Sequence, residues 1–212
     1  MRAVTIQVTK AEAFAFSAAP MIAFELLVSS GEAIESVALR AQIMIEPARR
    51  SYSRAAQDEL SDLFGEPERW SRTLNPLLWT HAATNVPAFS GSIRVKLPVG
   101  CTFDFNLAST KYFHAVREGG IPLRFHFSGT IFYRGADGGI QIAPVPWDRE
   151  SPWQLSASVW HDMMDHYYPD GAWLRLRRDV FERLYAFKRH HGIATWEEAI
   201  DRLIPLSKEA VS

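Results

Sequence analysis

The chain has 212 residues, 47% apolar and 22% charged, with a net charge of −1. That is enough apolar chain for a sizeable core, and it is unlike a disordered segment. The near-neutral balance argues against general nucleic-acid binding, which draws on a basic surface to displace counterions. The single cysteine, Cys101, excludes an internal disulfide and any cysteine-based zinc or iron–sulfur site; the cytoplasm is therefore the expected compartment.

The first residues, Met1 to Gln7, lack the unbroken apolar run of a signal peptide. The most apolar stretch, 13–24, is broken by Ser17 and Pro20 and ends at Glu25, short of the roughly 20 residues that cross a bilayer. No membrane span is expected.

Much of the first two-thirds alternates between apolar and polar, the period of a strand with one buried face. Val4, Ile6 and Val8 form one inner face, and Ile22, Phe24, Leu26 and Val28 another. From Ser36 to Glu46, Val37, Leu39, Ala41, Ile43 and Ile45 share a side opposite Arg40, Gln42 and Glu46. Ser53 then suits an N-cap for a helix that buries Ala56, Leu60, Leu63 and Phe64 and stops at Gly65. Residues 66–90 read as a long proline-bearing connection.

Alternation resumes at Ile93, Val95 and Leu97, and again at Phe103, Phe105 and Leu107; Lys111 to Arg117 favours a short helix. The clearest later strand, Ile121 to Tyr133, turns Leu123, Phe125, Phe127, Ile131 and Tyr133 inward. Turn residues fall at Ser30-Gly31, at Pro98-Val99-Gly100, and at Asp137-Gly138, which closes a hairpin onto Ile140 and Ile142. About seven half-buried strands joined by turns predict an antiparallel two-sheet β-sandwich with one inserted short helix.

The last third reads as helix. Ser158 precedes Trp160, Met163, Met164 and Tyr167, with Pro169 as the stop. Asp179 with Glu182, and Thr195 with Glu198, have the spacing of capping boxes, and Gly192 separates the two. A helical hairpin follows. We expect a sandwich core over 1–150 and a helical extension over 151–212, packed as a single domain.

The chemistry-bearing residues do not assemble into a signature. His161 and His166 are five apart, about 140° around a helix, and cannot chelate as an i, i+4 pair does. A polar helix face is the simpler account. His126 stands on a strand without a neighbouring histidine of the same face, and His190-His191 suit the C-terminal end of a basic helix. There is no nucleophile elbow, phosphate loop, dinucleotide fingerprint or zinc-protease helix. Cys101 fits a buried thiol better than a nucleophile. No catalytic residue, metal ligand or cofactor site is expected.

Charge, by contrast, is segregated. Asp58, Glu59, Asp62, Glu66 and Glu68 form an acidic run, whereas Arg175, Arg177, Arg178, Arg183, Lys188 and Arg189 make the region 173–191 basic. Arg49, Arg50 and Arg54 cluster around Tyr52. Such patches either face each other within a fold, remain solvated, or orient a partner.

Several stretches, among them Ile45-Glu46-Pro47-Ala48-Arg49-Arg50, Leu63-Phe64-Gly65-Glu66-Pro67, Phe127-Ser128-Gly129-Thr130, Pro144-Val145-Pro146-Trp147-Asp148 and Trp173-Leu174-Arg175-Leu176-Arg177-Arg178-Asp179, carry a resemblance over most of the chain. It resembles a family of uncharacterised bacterial proteins encoded near actinobacterial-type nickel–iron hydrogenase genes. The resemblance implies an accessory role beside such an enzyme and carries over no catalytic residue. A metal carrier or electron carrier would need thiols or histidine tracts.

Two readings follow. The first is a non-catalytic accessory protein, with Arg49, Arg50, Tyr52, Arg175, Arg177 and Arg178 as its partner surface, since basic side chains beside aromatics suit interfaces. Its partner would be a protein, a hydrogenase component under the resemblance, and assembly of identical copies is compatible with it. The second is a small-molecule binder or an enzyme of unfamiliar type, with a pocket at Trp79, His81, Trp147 and Asp148 in loop segments, where sites often lie.

Overall fold

In the computed structural model, which describes residues 4–14, 16–104, 107–169, 171 and 174–209 (side chains to 204), the alternating segments become strands. In chain order these are β1 (Val4–Ala13), β2 (Met21–Ile34), β3 (Ser36–Ile45), β4 (Leu77–Val86), β5 (Phe89–Gly100), β6 (Gly120–Arg134), β7 (Ile140–Pro144) and β8 (Glu150–Ser156). The helices are α1 (Arg54–Phe64), α2 (Trp70–Thr73), α3 (Ala108–Ala115), α4 (Ala157–Tyr167), α5 (Arg178–His190) and α6 (Trp196–Glu209). The chain divides into two units, Met1–Trp173 and Leu174–Ser212. Residues 151–173, which the sequence groups with the helical extension, belong to the first.

The first unit is an antiparallel two-sheet sandwich. One sheet has the order β1-β2-β5; the other runs β4-β3-β6-β7, with β8 beside β7 along the same edge of β6. Their inner faces meet where the period of two requires. Ile22, Phe24, Leu26 and Val28 of β2 share one buried cluster with Leu39, Ala41 and Ile43 of β3 and Phe125 and Phe127 of β6. Phe24 and Phe125 touch edge to face at 4.9 Å between centroids. Each such side chain removed from water stabilises the fold by roughly 1.5–3 kcal/mol.

α1 begins as expected: Ser53 Oγ accepts from Ala56 N–H at 3.3 Å. It ends at Gly65, whose φ of 73° is open to glycine at little cost. α3 sends Tyr112 and Phe113 into the core, and α4 adds Trp160, Met163 and Met164. Trp160 stacks on Phe103 and Phe113, with centroids 5.8 and 5.5 Å away.

Several local expectations are corrected. Ser30-Gly31 lies inside β2, at a shift in its pairing with β5, and is not a connection. Pro98-Val99-Gly100 is the end of β5, paired with Ala23, Ile22 and Met21; β5 is an edge strand, where a missing proline N–H is tolerated. Residues 77–86 form β4 where a connection was expected. β8 was also unforeseen, since Pro152 interrupts its pattern and only Ser151 and Leu155 are fully buried. The strand expected at Phe103 to Leu107 falls partly on Phe105 and Asn106, which lie outside the described residues; Leu107 precedes α3. α4 starts two residues earlier than Ser158 implies, behind Ser156.

The second unit is the expected helical hairpin. α5 closes in a Schellman motif: Ile193 N–H bonds Lys188 O at 3.0 Å and Gly192 N–H bonds Arg189 O at 3.3 Å, with Gly192 at φ 61°. Thr195 Oγ1 caps α6 through Glu198 N–H at 3.2 Å, while the Glu198 carboxylate takes Arg202 at 2.6 Å. Asp179 is no cap. It sits in the first turn of α5, after Arg177, and accepts from that guanidinium at 3.0 Å.

Candidate functional site

The outward face of the larger sheet carries a row of polar side chains fixed by register. Gln42 of β3 pairs with His81 of β4 on one side and His126 of β6 on the other, and His126 pairs with Glu150 of β8. The next row sets Arg40 between Ala83 and Ser128. Arg40, Gln42, His81, Ala83, His126 and Ser128 line, together with Trp147, an open groove of about 590 Å³. The Trp147 side chain is 91% exposed, an unusual cost for so large an apolar ring unless something covers it.

One end of the groove is electrostatically fixed. His126 Nδ1 lies 3.0 Å from Glu150 Oε1. Arg124 bridges Glu150 at 2.8 Å and Glu46 at 2.8 Å, and Glu46 also meets Arg49 at 3.1 Å. The Arg124 hydrogen bond holds the Glu150 carboxyl below the usual carboxylate range. Arg40 makes no ion pair among the described residues, so the groove offers an uncommitted cation beside two imidazoles and a serine.

Of the four residues expected to line a pocket, His81 and Trp147 meet in this groove. Trp79 does not. The pairing of β3 with β4 shifts between Ile43 and Met44, which are opposite Thr80 and Leu78. Trp79 is the extra residue of that bulge, and its ring packs on Phe24 and Phe113 at 6.0 and 4.8 Å. Asp148 lies 3.8 Å from Arg149.

The expected partner surface is also divided. Arg50 donates to the backbone oxygens of Gly120 and Glu118, both at 3.0 Å, and lies over the Tyr52 ring. The Tyr52 hydroxyl donates to Pro47 O at 2.7 Å and meets the Tyr112 hydroxyl at 2.7 Å. Burial pushes both phenols above their ordinary range. Arg50 thus ties the segment before α1 to the start of β6, and Tyr52 ties it to α3, while Arg49 is exposed but paired with Glu46.

Arg175, Arg177 and Arg178 belong to the second unit. There Leu174, Leu176, Val180, Leu184, Leu203 and Ile204 line an apolar groove of about 540 Å³ along the hairpin, with Arg183 in its wall. Arg177 is taken by Asp179. Arg175, Arg178 and Arg183 make no ion pair among the described residues.

A family model described as "Family of unknown function (DUF6084)" matches residues 1–212. The chain belongs to this family. No curated protein matches it. Solved structures similar to it include the CARDB domain of a Pyrococcus furiosus protein in complex with di-metal ions and a β-glucosidase from Kluyveromyces marxianus. The first is 9% identical with a TM-score of 0.28, covering 73% of this chain and 92% of that one. The second is 9% identical with a TM-score of 0.25, covering 72% and 15%.

Among the described residues of this family member, no three histidine, cysteine, aspartate or glutamate side chains are grouped to hold a metal ion, and no helix is long and apolar enough to cross a membrane. His161, singled out by its sequence neighbours, bonds Val116 O through Nε2 at 3.1 Å. Cys101 lies against the core and its thiol meets Val99 O at 3.6 Å. Sequence reasoning missed Arg40, Gln42, His126 and Ser128 as one surface. The signal was available, since they occupy the polar phase of two strongly alternating strands, but only the pairing register shows that they are neighbours.

Proposed function

We propose that this chain is a non-catalytic accessory protein whose second unit docks an acidic amphipathic helix of its partner, a component of a bacterial, cytoplasmic nickel–iron hydrogenase during assembly. The observation that carries this reading is the apolar groove along α5 and α6, with Arg183 in its wall and Arg175 and Arg178 on the same unit, none of them in an ion pair among the described residues. An amphipathic helix buries its apolar stripe in such a groove. Acids along its flanks would answer Arg175, Arg178 and Arg183, since complementary charge speeds encounter and fixes orientation. The hydrogenase assignment rests on the resemblance of the sequence to proteins encoded beside such enzymes.

The test is calorimetric titration of the full chain with a purified hydrogenase large subunit lacking its metals. The wild type is expected to bind at micromolar Kd or tighter. Leu184→Glu should abolish binding with its circular dichroism and melting temperature unchanged, and Arg178→Glu with Arg183→Glu should weaken it at least tenfold. No binding by the wild type, or equal binding by all variants, contradicts the reading.

A second reading, a small-molecule-binding sandwich or enzyme of unfamiliar type, is favoured by one observation: His81, Arg40, His126 and the exposed Trp147 face a single groove. It requires a ligand whose binding is lost in both His81→Ala and Trp147→Ala.

A further inference from the structure

β7 ends its sheet and, though short at five residues, carries few of the other devices that protect such an edge among the described residues. Edge strands discourage pairing with lysine, internal proline, bulges or a covering element. Residues 138–147 carry no charge, the register of β7 on β6 is unbroken, and Pro144 stands only at its end. Neighbouring β8 is treated differently: the β1 backbone reaches it, with Val8 N–H donating to Ser151 Oγ at 3.1 Å.

The hydrogen bonds define what the β7 edge offers. Gly135 N–H bonds Gly139 O at 2.8 Å, and Val145 N–H bonds Gly129 O at 3.0 Å. In an antiparallel ladder the bonded pairs alternate. Between these two pairs, therefore, Gln141 and Ala143 turn their amides toward β6, while Ile140 and Ile142 turn theirs outward. The side chains of Ile140 and Ile142 are 65% and 67% exposed. Two apolar side chains on one face thus accompany two free donor–acceptor sets on one edge.

We propose that this edge pairs with β7 of a second copy of the chain, antiparallel about a two-fold axis at Gln141. In that register Ile140 lies opposite Ile142 of the other copy, and Ile142 opposite Ile140. The two outward N–H and two outward C=O groups of each copy then form four hydrogen bonds across the axis, the isoleucines cover each other, and the absence of charge removes repulsion between identical strands. The larger sheets become continuous through the pair. This interface uses none of the residues of the hairpin groove and does not depend on the function proposed for it.

Gln141 of each copy would form a non-hydrogen-bonded pair, whose Cα atoms lie close enough for a disulfide. The test is mild oxidation of full-length Gln141→Cys, with Asp137→Cys as control, read on non-reducing gels and beside sedimentation equilibrium of the wild type. We expect a covalent dimer for Gln141→Cys only. Placing Ile140→Lys and Ile142→Lys in the same chain should cut its yield at least tenfold and weaken wild-type association by the same factor. Leu184→Glu should leave both unchanged. A wild type that stays monomeric at millimolar concentration overturns the proposal, as does cross-linking equal to the control or insensitive to the lysines.

Discussion

Cys101 shows how placement decides reactivity. Its thiol lies at the end of β5 against the core, and burial pushes its pKa up to about 12. The thiolate is the nucleophile, so at pH 8 iodoacetamide should modify the native protein on the order of a thousandfold more slowly than the urea-unfolded chain. Mass spectrometry of timed aliquots checks this; native modification at the unfolded rate would contradict the burial. His114 is shifted the other way: desolvation, then Arg117, lower its pKa. A lowered folded-state value means that its contribution to stability is complete above the unfolded-state pKa, near 6.5, and declines as acid protonates the group. Single residues were the least legible part of the site. His81 and Trp147 could be named from their surroundings in the sequence, whereas Trp79 could not be placed, because a one-residue bulge against Ile43 and Met44 sends its ring inward.

At the scale of elements, Gly129 explains a motif that composition alone leaves mute. It sits in β6 at φ 142°, and a Cβ there would come within 2.0 Å of Ala38 O on β3. Neither backbone can move without breaking the central pairing of the larger sheet. Gly129→Ala should therefore cost about 3 kcal/mol or more, read as a lowered urea midpoint, whereas Gly31→Ala, in open space with ordinary φ, should change it by less than about 1 kcal/mol. Strands with one wet and one dry face were legible because sheet pleating writes a period of two into β2, β3 and β6. β4 and β8 were not. In β4 the inner positions Thr80, Ala82 and Thr84, opposite Ile43, Ala41 and Leu39, are too small and polar to mark a face, which leaves Val86 alone as a fully buried apolar residue of that strand, and β8 carries a proline on an edge where the ladder tolerates it. Helix ends were read from glycines more reliably than from acids: Gly65 and Gly192 end α1 and α5 as their spacing implies, while Asp179 lies inside α5.

For the whole molecule, the sandwich and the hairpin have different surfaces. The sandwich spends most of its chemistry on itself. Arg50 and Tyr52 bind backbone, and Glu46, Arg124 and Glu150 bind one another. The hairpin exposes apolar side chains, Leu174 at 64%, and its Arg175, Arg178 and Arg183 make no ion pair among the described residues, which is why the interaction role is proposed for it. Charge segregation in the sequence pointed toward this surface but not to its apolar floor, since the residues forming that floor come from two helices and the segment before them. Hydrogen–deuterium exchange of the full chain, alone and saturated with the hydrogenase large subunit, addresses this assignment most directly. The account predicts slowed exchange concentrated in peptides spanning 174–204. Protection confined to the sandwich, with those peptides exchanging as they do in the free chain, would contradict it.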